Sequence, residues 1–432
     1  MVTVCYKIGR MEALDVAVIG AGAAGLAVAD ELHRKGFSLA VFEARDRIGG
    51  RILTHRDARV PLPIELGPEL IHGEAPETRR ILREAGRLAI AVEGDSWEAE
   101  SGRLRRSESP WKDIDRLLQK IDTSGPDLSF ADFLARRPGG KSLAQARESV
   151  RRFVQGFHAA DVEQISACSL AGSDSGEARD AGRVLGGYDQ VPAWLARDLG
   201  DAIRLGCPVT GIDWEPGQVE LTLGTGERVR ARAAVVTVPL GILQAPPDAP
   251  GAIRFRPEVP RLSKTLGRLA MGSVLRLVFW FREAPWKVDR LGFLFTGDET
   301  FRTWWTAYPL LAPLAVCWSG GPPAAGLTGV PVDEIAGRAL RTLATHLGLP
   351  RRRVESRVLD FWMHDWQTDP WSRGGYSYPR VGGAHAAQAL ARPIKKTLFF
   401  AGEATAGEGE NGTVEGALAS GQRVARQVSR AL

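Results

Sequence analysis

Gly20, Gly22 and Gly25 stand at the G-x-G-x-x-G spacing, and Glu43 follows 18 residues after the third glycine. Residues of these types at this spacing hold a dinucleotide rather than break a bond. Gly20 allows a tight strand-to-helix turn, and Gly22 lets the backbone approach a pyrophosphate with no Cβ in the way. Gly25 lets helix and strand pack closely. Glu43 is placed to accept hydrogen bonds from a ribose diol. The elements that must carry these residues lie on either side of them. Val16 to Ile19 is a short apolar run of the buried, parallel type, and a small-residue helix is predicted from about Ala23 to Lys35, stopped by Gly36. Leu39 to Phe42 then supplies a second strand ending at Glu43. The helix N-terminus offers unpaired N–H groups and a positive dipole end to phosphates. A lone glycine motif is a weak signal. The strand before it, the helix after it and the acid closing the next strand make this one a dinucleotide site. An acid at position 43 disfavours a 2′-phosphate and hence NADP, while NAD and FAD both stay open.

Other residues able to do chemistry cluster in three places. Arg45, Arg47, Gly49, Gly50 and Arg51 put planar guanidinium forks and bare backbone directly after Glu43, where phosphate oxygens can be met. Residues 65–73 hold Gly67, Pro68 and His72 around an apolar Leu70-Ile71 pair. Near the end of the chain, a strand at 397–401 runs into Gly402 and Glu403, and a loop at 407–412 leads to a helix from Thr413 to about Ala431. A strand, a glycine-rich loop and a helix N-terminus again suit a polar cofactor.

Between these lies a change of texture. Residues 76–190 read as a largely helical insertion, with helices at 77–85, 111–121 and 142–157 and Gly/Ser/Pro breaks at 124–126, 138–140 and 172–176. Short strands are predicted at 203–209, 212–215, 219–223 and 228–229, and an apolar strand of parallel-sheet type at 233–238. A helix at 260–269 leads into the apolar run 272–281, with Arg276 inside it. Strands around Phe293 and at 303–308 and 314–318, a helix at 332–347 and a strand at 354–362 predict a second, mixed α+β region. The chain has no internal repeat and no low-complexity tract.

With 432 residues, 44% hydrophobic and 25% charged, the chain is long enough for two domains around large cores. Its net charge of +5 is modest and its arginines are scattered, apart from the run at 351–353, so nucleic-acid binding is not expected. Cys5, Cys168, Cys207 and Cys317 lie far apart with no C-x-x-C, which argues against disulfides and a metal site and fits a reducing cytoplasm. No apolar run reaches the ~18 residues of a membrane span. Residues 1–10 read as an upstream extension outside the fold.

Taken together, residues 18–25, 43–51, 65–73, 235–243, 272–281, 369–377 and 399–423 resemble the flavin-containing amine oxidase family, which includes monoamine oxidases, polyamine oxidases and lysine-specific histone demethylases. The likeness spans nearly the whole chain in the family's order. It implies an α/β fold, a doubly wound FAD-binding (Rossmann-like) domain interleaved with an α+β substrate-binding domain. The FAD part would comprise residues 11–75, 186–260 and 385–432, and the substrate part 76–185 and 261–384. FAD would be held by Gly20, Gly22, Ala24, Gly25, Glu43, Ala44, Arg45, Gly50 and Arg51, with Val209 at the adenine. Gly67 and Pro68 would pass the isoalloxazine, and Gly402, Glu403, Thr413 and Val414 would complete the site.

The resemblance also places the chemistry. Tyr376 matches one wall of the aromatic cage that orients the amine, and the second wall falls on Thr413, which is not aromatic. His72 matches a pocket histidine of some polyamine oxidases. Gly375 occupies the place of the cysteine that carries flavin in covalent members, so FAD is expected to be noncovalent. Arg276 stands where the family carries a lysine, and arginine keeps its proton at working pH. The implied reaction passes a hydride equivalent from a small neutral amine to the flavin. The imine then hydrolyses, and dioxygen reoxidises the flavin with release of hydrogen peroxide. Glu69, Glu410 and Glu415 are candidates for reading a second ammonium. Two rivals share the motifs: a desaturase or protoporphyrinogen oxidase-like dehydrogenase, and a flavin-binding protein with weak oxidase activity. Tyr376, His72 and a tryptophan-rich second domain favour an amine over the first, and Arg276 is the ground for the second. Oligomeric state is left open.

Overall fold

A computed structural model describes residues 13–100, 102–107, 111–171, 181–407 and 409–432. The upstream extension read at 1–10 and the glycine break at 172–176 lie outside the described residues. The chain opens with β1 (Leu14–Ile19), α1 (Ala23–Arg34) and β2 (Leu39–Phe42), within a residue or two of the predicted bounds. Side chains of a strand alternate between two faces, and β1 shows how both faces are used. Val16 and Val18 enter one apolar cluster with α1 and the last helix, Val414–Ala431. Ala17 and Ile19 enter another, which is closed by the helices Pro260–Leu266 and Ala386–Leu390. Helices cover both faces, so the sheet is doubly wound.

Five strands of this sheet run parallel, in the order Ile203–Arg204, β2, β1, Arg228–Val236 and Leu398–Phe400. Four of them deliver their C-terminal ends to one edge, at Gly20, Glu43, Thr237 and Gly402. That edge of an open α/β sheet is where ligands bind.

The strand Arg228–Val236 is one nine-residue element, where the sequence pattern suggests separate strands at 228–229 and 233–238. Its physical character changes midway. Residues 228–232 alternate exposed arginines with buried Val229 and Ala231 and pair antiparallel with Gln218–Leu223. Residues 233–236 are buried on both faces and pair in parallel with β1 and Leu398–Phe400. Alternation marks a half-exposed antiparallel strand, and a continuous apolar run marks a parallel one. Here a single strand does both.

A second sheet of seven strands follows the order Val358–Met363, Val274–Phe281, Leu314–Gly320, Thr303–Thr306, Leu291–Thr296, Asp95–Glu100 and Arg103–Arg106. The helix Val332–Leu347, predicted at these same bounds, closes one face with Ile335, Ala339 and Leu343. Two expectations are corrected. The region 76–190 is helical at Pro76–Glu84, Trp111–Leu118, Phe130–Ala135 and Ala144–Phe157, but it also contributes Ala89–Ala91, Asp95–Glu100, Arg103–Arg106 and Ala181–Val184 as strands, which the sequence pattern does not show. The strand read at 354–362 begins instead at Val358, and the basic run belongs to a short helix, Arg351–Glu355, that starts after Pro350. The first miss has a clear cause: Arg103–Arg106 is a charged edge strand with no apolar alternation to betray it.

The chain's two ends meet where α1 crosses the last helix. A Cβ added at Gly421 would lie 2.6 Å from the Ala24 carbonyl oxygen and 2.8 Å from the Ala27 Cβ. Gly421→Ala should therefore force the helices apart and cost about 1–3 kcal/mol of stability, the usual penalty of overpacking. Urea unfolding checks this, and a midpoint equal to that of the parent protein would contradict the tight crossing.

Candidate active site

The edge formed by the parallel strand ends opens into a cavity of about 1380 Å³ that runs from the glycine turn to the second sheet. At its first end, Gly20 has a φ of +104°, and a Cβ on Gly25 would lie 2.0 Å from the Gly20 carbonyl oxygen. Gly25 is the one residue of the expected set that stands behind the cavity wall, packed as its place in the motif requires. α1 has no side-chain cap at Gly22, so its first N–H groups are left for a ligand. The arginine-glycine segment docks onto this turn: Gly49 donates to the Ala21 carbonyl oxygen at 2.8 Å, and a Cβ on Gly50 would lie 3.2 Å from the Cα of Gly22. Side chains are excluded from both strands of this cradle, which suits a pyrophosphate lying against bare backbone.

Glu43 is buried at the end of β2 and accepts from the backbone N–H groups of Ala21, at 2.8 Å, and Arg45, at 2.9 Å. Ala44, Pro68 and Val209 line the cavity beside it, together with Gly67, whose added Cβ would lie 1.9 Å from the Arg51 carbonyl oxygen. Arg45 donates to Asp369 at 2.7 Å and to Ser372 at 3.0 Å. Burial alone would raise the Asp369 carboxyl, but His364 and Arg45 outweigh it and hold it at about 2. Arg51 donates to the Gly375 carbonyl oxygen at 2.6 Å and to Glu403 at 3.0 Å. The other Glu403 oxygen accepts from the Ser377 hydroxyl at 2.7 Å and the Gly412 N–H at 3.1 Å. Two of the three arginines expected at phosphate oxygens, Arg45 and Arg51, thus serve as struts between distant segments, and Arg47 donates to the Ile48 and Ile52 carbonyl oxygens.

The far end of the cavity is aromatic. The Tyr376 hydroxyl donates to the Phe157 carbonyl oxygen at 2.5 Å, and the Phe157 ring meets His72 edge-on at 5.6 Å between centroids. Phe153 stacks on Phe157 at 5.1 Å. Thr413 lines the cavity beside Val414 but is occupied as the cap of the last helix: its hydroxyl accepts from Gly416 N–H at 2.9 Å and donates to the Glu410 carbonyl oxygen at 2.7 Å.

Arg276 is 4% exposed and lies against the ring of Trp305, 5.2 Å from its centroid. It donates to the Glu65 carbonyl oxygen at 2.6 Å and forms a very short ion pair with Glu69. Glu69 also accepts from Arg183 at 2.7 Å and from the Trp305 indole at 2.9 Å. One carboxylate thus serves two buried guanidinium groups. Burial would raise the Glu69 carboxyl, but Arg183 and Arg276 outweigh it and hold it at about 2.

A family model described as flavin-containing amine oxidoreductase matches residues 23–429. The chain belongs to that family. It is similar to polyamine oxidase 2 of Arabidopsis thaliana, 28% identical over 96% of this chain and 89% of that protein. It is also similar to flavin-containing amine oxidase A of Sus scrofa, 24% identical over 97% and 85%. Putrescine oxidase bound to putrescine shares its fold, with a TM-score of 0.82, 24% identity and coverage of 97% and 99%. The flavin-containing amine oxidoreductase is therefore an FAD enzyme that oxidises amines, the reading its relatives' names favour over a desaturase.

Two features of this amine oxidoreductase explain its departures from the family pattern. A Cβ on Gly375 would lie 2.6 Å from both Val274 methyl carbons, so the position has neither a thiol nor room for one. Of the three candidates for a second ammonium, Glu69 and Glu415 are already engaged, since Glu415 accepts from Glu77 N–H, Thr78 N–H and the Thr78 hydroxyl at 2.8–2.9 Å, whereas Glu410, between the cavity-lining Gly409 and Asn411, has its carboxyl raised by burial and by Glu415. Sequence reasoning missed Arg183, Asp369, Phe153, Phe157, Trp305 and Trp318 as residues of the cavity region. The available signal was an arginine or aspartate inside an apolar segment, since such a charge needs a partner.

Removing the shared anion tests the buried triad. Glu69→Gln should cost about 3–5 kcal/mol, because it leaves buried cations without a counter-charge. The sign with pH follows from the lowered carboxyl. With a folded value of about 2 against an ordinary 4.5, its contribution is present above pH 4.5 and is lost as pH falls toward 2. Denaturant midpoints of parent and variant should converge over that window, and a pH-independent gap would contradict the account.

Proposed function

We propose that the enzyme oxidises a substrate with one reacting amine, using noncovalent FAD with dioxygen as electron acceptor, in the cytoplasm. One observation carries this reading: a single cavity joins the glycine cradle to an aromatic pocket in which Tyr376, His72 and Phe157 meet. In this reading residues 11–75, 186–260 and 385–432 form the cofactor domain and 76–185 and 261–384 the substrate domain. The separate strand sets of the two large sheets support that division. Three widely spaced cysteines, Cys168, Cys207 and Cys317, carry free thiols, which supports a reducing compartment.

When bound, FAD supplies the redox step by taking two electrons from the carbon next to the amine nitrogen. The chain's own residues do the rest. The N-terminus of α1, Gly22 and Gly50 hold the pyrophosphate, and Glu43 turns its remaining acceptor capacity to the ribose. Arg45, Arg51, Gly402 and Glu403 fix the segments around the middle of the cofactor, with Ala24 and Val414 at helix starts and Val209, Gly67 and Pro68 along the walls. Tyr376 and His72 orient the amine, and Thr413 holds the start of the last helix in place. Arg276 keeps a fixed positive charge beside the substrate space and cannot take up a proton. With Arg183 and Glu69 it forms a buried group of net +1. A positive group disfavours the ammonium form of the substrate and lowers its pKa.

Turnover should therefore rise with pH and level off below the pKa of the free amine. A steady-state profile from pH 6 to 10 checks this, and a flat profile would defeat the neutral-amine reading. Acid-precipitated protein should leave its FAD in the supernatant, and a yellow pellet would show covalent attachment. Anaerobic addition of an alkylamine should bleach the bound flavin, and admitting air should restore the colour with release of peroxide.

A further inference from the structure

Arg302 lines the wall of the large cavity and of a smaller one of about 230 Å³ beside it. The two cavities share Arg152, Gly156, Arg302, Thr303 and Trp318, so Arg302 stands at their junction. Its place relative to the aromatic pocket follows from the sheet. Thr303, the next residue, is in register with Trp318 on the neighbouring strand. Trp318 donates to the Gly156 carbonyl oxygen at 2.9 Å and, like Tyr376, packs against the small apolar cluster of Ala159, Val274 and Trp366. Arg302 is thus one tryptophan removed from the residue that orients the amine.

Its electrostatic position is unusual for this protein. Arg45, Arg51, Arg183 and Arg276 each have a carboxylate at hydrogen-bond distance, and the half-buried Arg47 and Arg423 donate to carbonyl oxygens instead. Arg302 is half-buried, and among the described residues its guanidinium makes no hydrogen bond or ion pair. The nearby acids are taken. Glu148 pairs with Arg152 at 2.7 Å and with Arg151 at 3.3 Å, and Glu98 pairs with Arg105. Burial, followed by the charge of Arg152, pulls the guanidinium down to about 10. A desolvated cation without a partner is costly, and this one does not lose its proton at working pH. What relieves it is an anion arriving from the cavity, and a guanidinium fork suits a planar carboxylate.

We propose that Arg302 is the head of a carboxylate subsite, and that the amine this enzyme takes carries a carboxylate at the end remote from the reacting carbon. The inference rests on the amine-oxidising reading above and supplies its substrate class. A polyamine reaching this point would bring its distal ammonium to Arg302, where the nearby Glu148 and Glu98 are already paired.

The experiment has two arms on the FAD-loaded enzyme. In the first, hexanoate and hexanol are titrated and read by tryptophan fluorescence, since Trp318 and Trp305 border the site. Hexanoate should bind at least tenfold tighter than hexanol, Arg302→Gln should remove that advantage, and Arg302→Lys should keep most of it. Equal hexanoate affinity in the parent and the Gln variant overturns the proposal. In the second arm, kcat/KM for 6-aminohexanoate should exceed that for 1,6-diaminohexane at least tenfold, with the preference carried by KM and lost in Arg302→Gln. Preference for the diamine overturns it. The failures of the two readings are distinguishable. Hexanoate binding through Arg302 with no amine bleaching the flavin sustains the subsite and defeats the amine reading. Bleaching by alkylamines with no Arg302-dependent carboxylate preference does the reverse.

Discussion

The carboxylate of Glu69 is the point on which the two halves of the structure are hung. It lies in the segment after the cofactor cradle and meets Arg183 from the three-stranded sheet and Arg276 and Trp305 from the seven-stranded one. Taking one anion and two cations out of water is unfavourable by several kcal/mol per ion before any pairing is counted. The arrangement holds because every group is satisfied: Arg276 by a backbone carbonyl as well, and Arg183 by the carbonyl oxygens of Thr306 and Ala307. Such a network tolerates little displacement. It fixes where residues 65–72 pass relative to the second sheet, and with them His72 and the wall formed by Gly67 and Pro68.

The same economy governs the other carboxylates around the cavity. Glu403 joins Arg51, Ser377 and Gly412, which lie in three separate stretches of chain, and Glu415 caps the helix Pro76–Glu84 from the last helix. Glu43 holds the glycine turn by two backbone N–H groups. These three acids position backbone, while Arg276 and Arg302 bring positive charge to the cavity wall.

How much of this can be read from sequence depends on how local the cause is. The β1–α1–β2 unit is legible because its signals are contiguous: an apolar run, three glycines, a small-residue helix and an acid. The helix Val332–Leu347 is legible for the same reason, with apolar spacing closed by Gly348 in a left-handed conformation. The edge hairpin of Asp95–Glu100 and Arg103–Arg106 is not, because its stabilisation comes from backbone pairing with Leu291–Thr296, far along the chain. Thr413 could be matched to a cage position from the motif, but its work as a cap appears only when Gly416 N–H and the Glu410 carbonyl are seen around it. Partners 114 and 207 residues apart, as Glu69 is from Arg183 and Arg276, leave no periodicity to detect.

The aromatic character of the amine pocket also has a structural origin that a residue-by-residue match does not reveal. With Thr413 committed to the last helix, aromatic surface enters from elsewhere, through Phe153 and Phe157 at the end of the helix Ala144–Phe157. That helix end is held from two sides: Tyr376 donates to the Phe157 carbonyl and Trp318 to the Gly156 carbonyl. These two carbonyls belong to the helix's last turn, where backbone acceptors have no intrahelical partner. The residues that border the substrate space therefore satisfy the helix end, and the helix end fixes their orientation. Any change that unwinds this turn moves Tyr376, Trp318 and His72 together, so pocket shape and helix termination are one structural property.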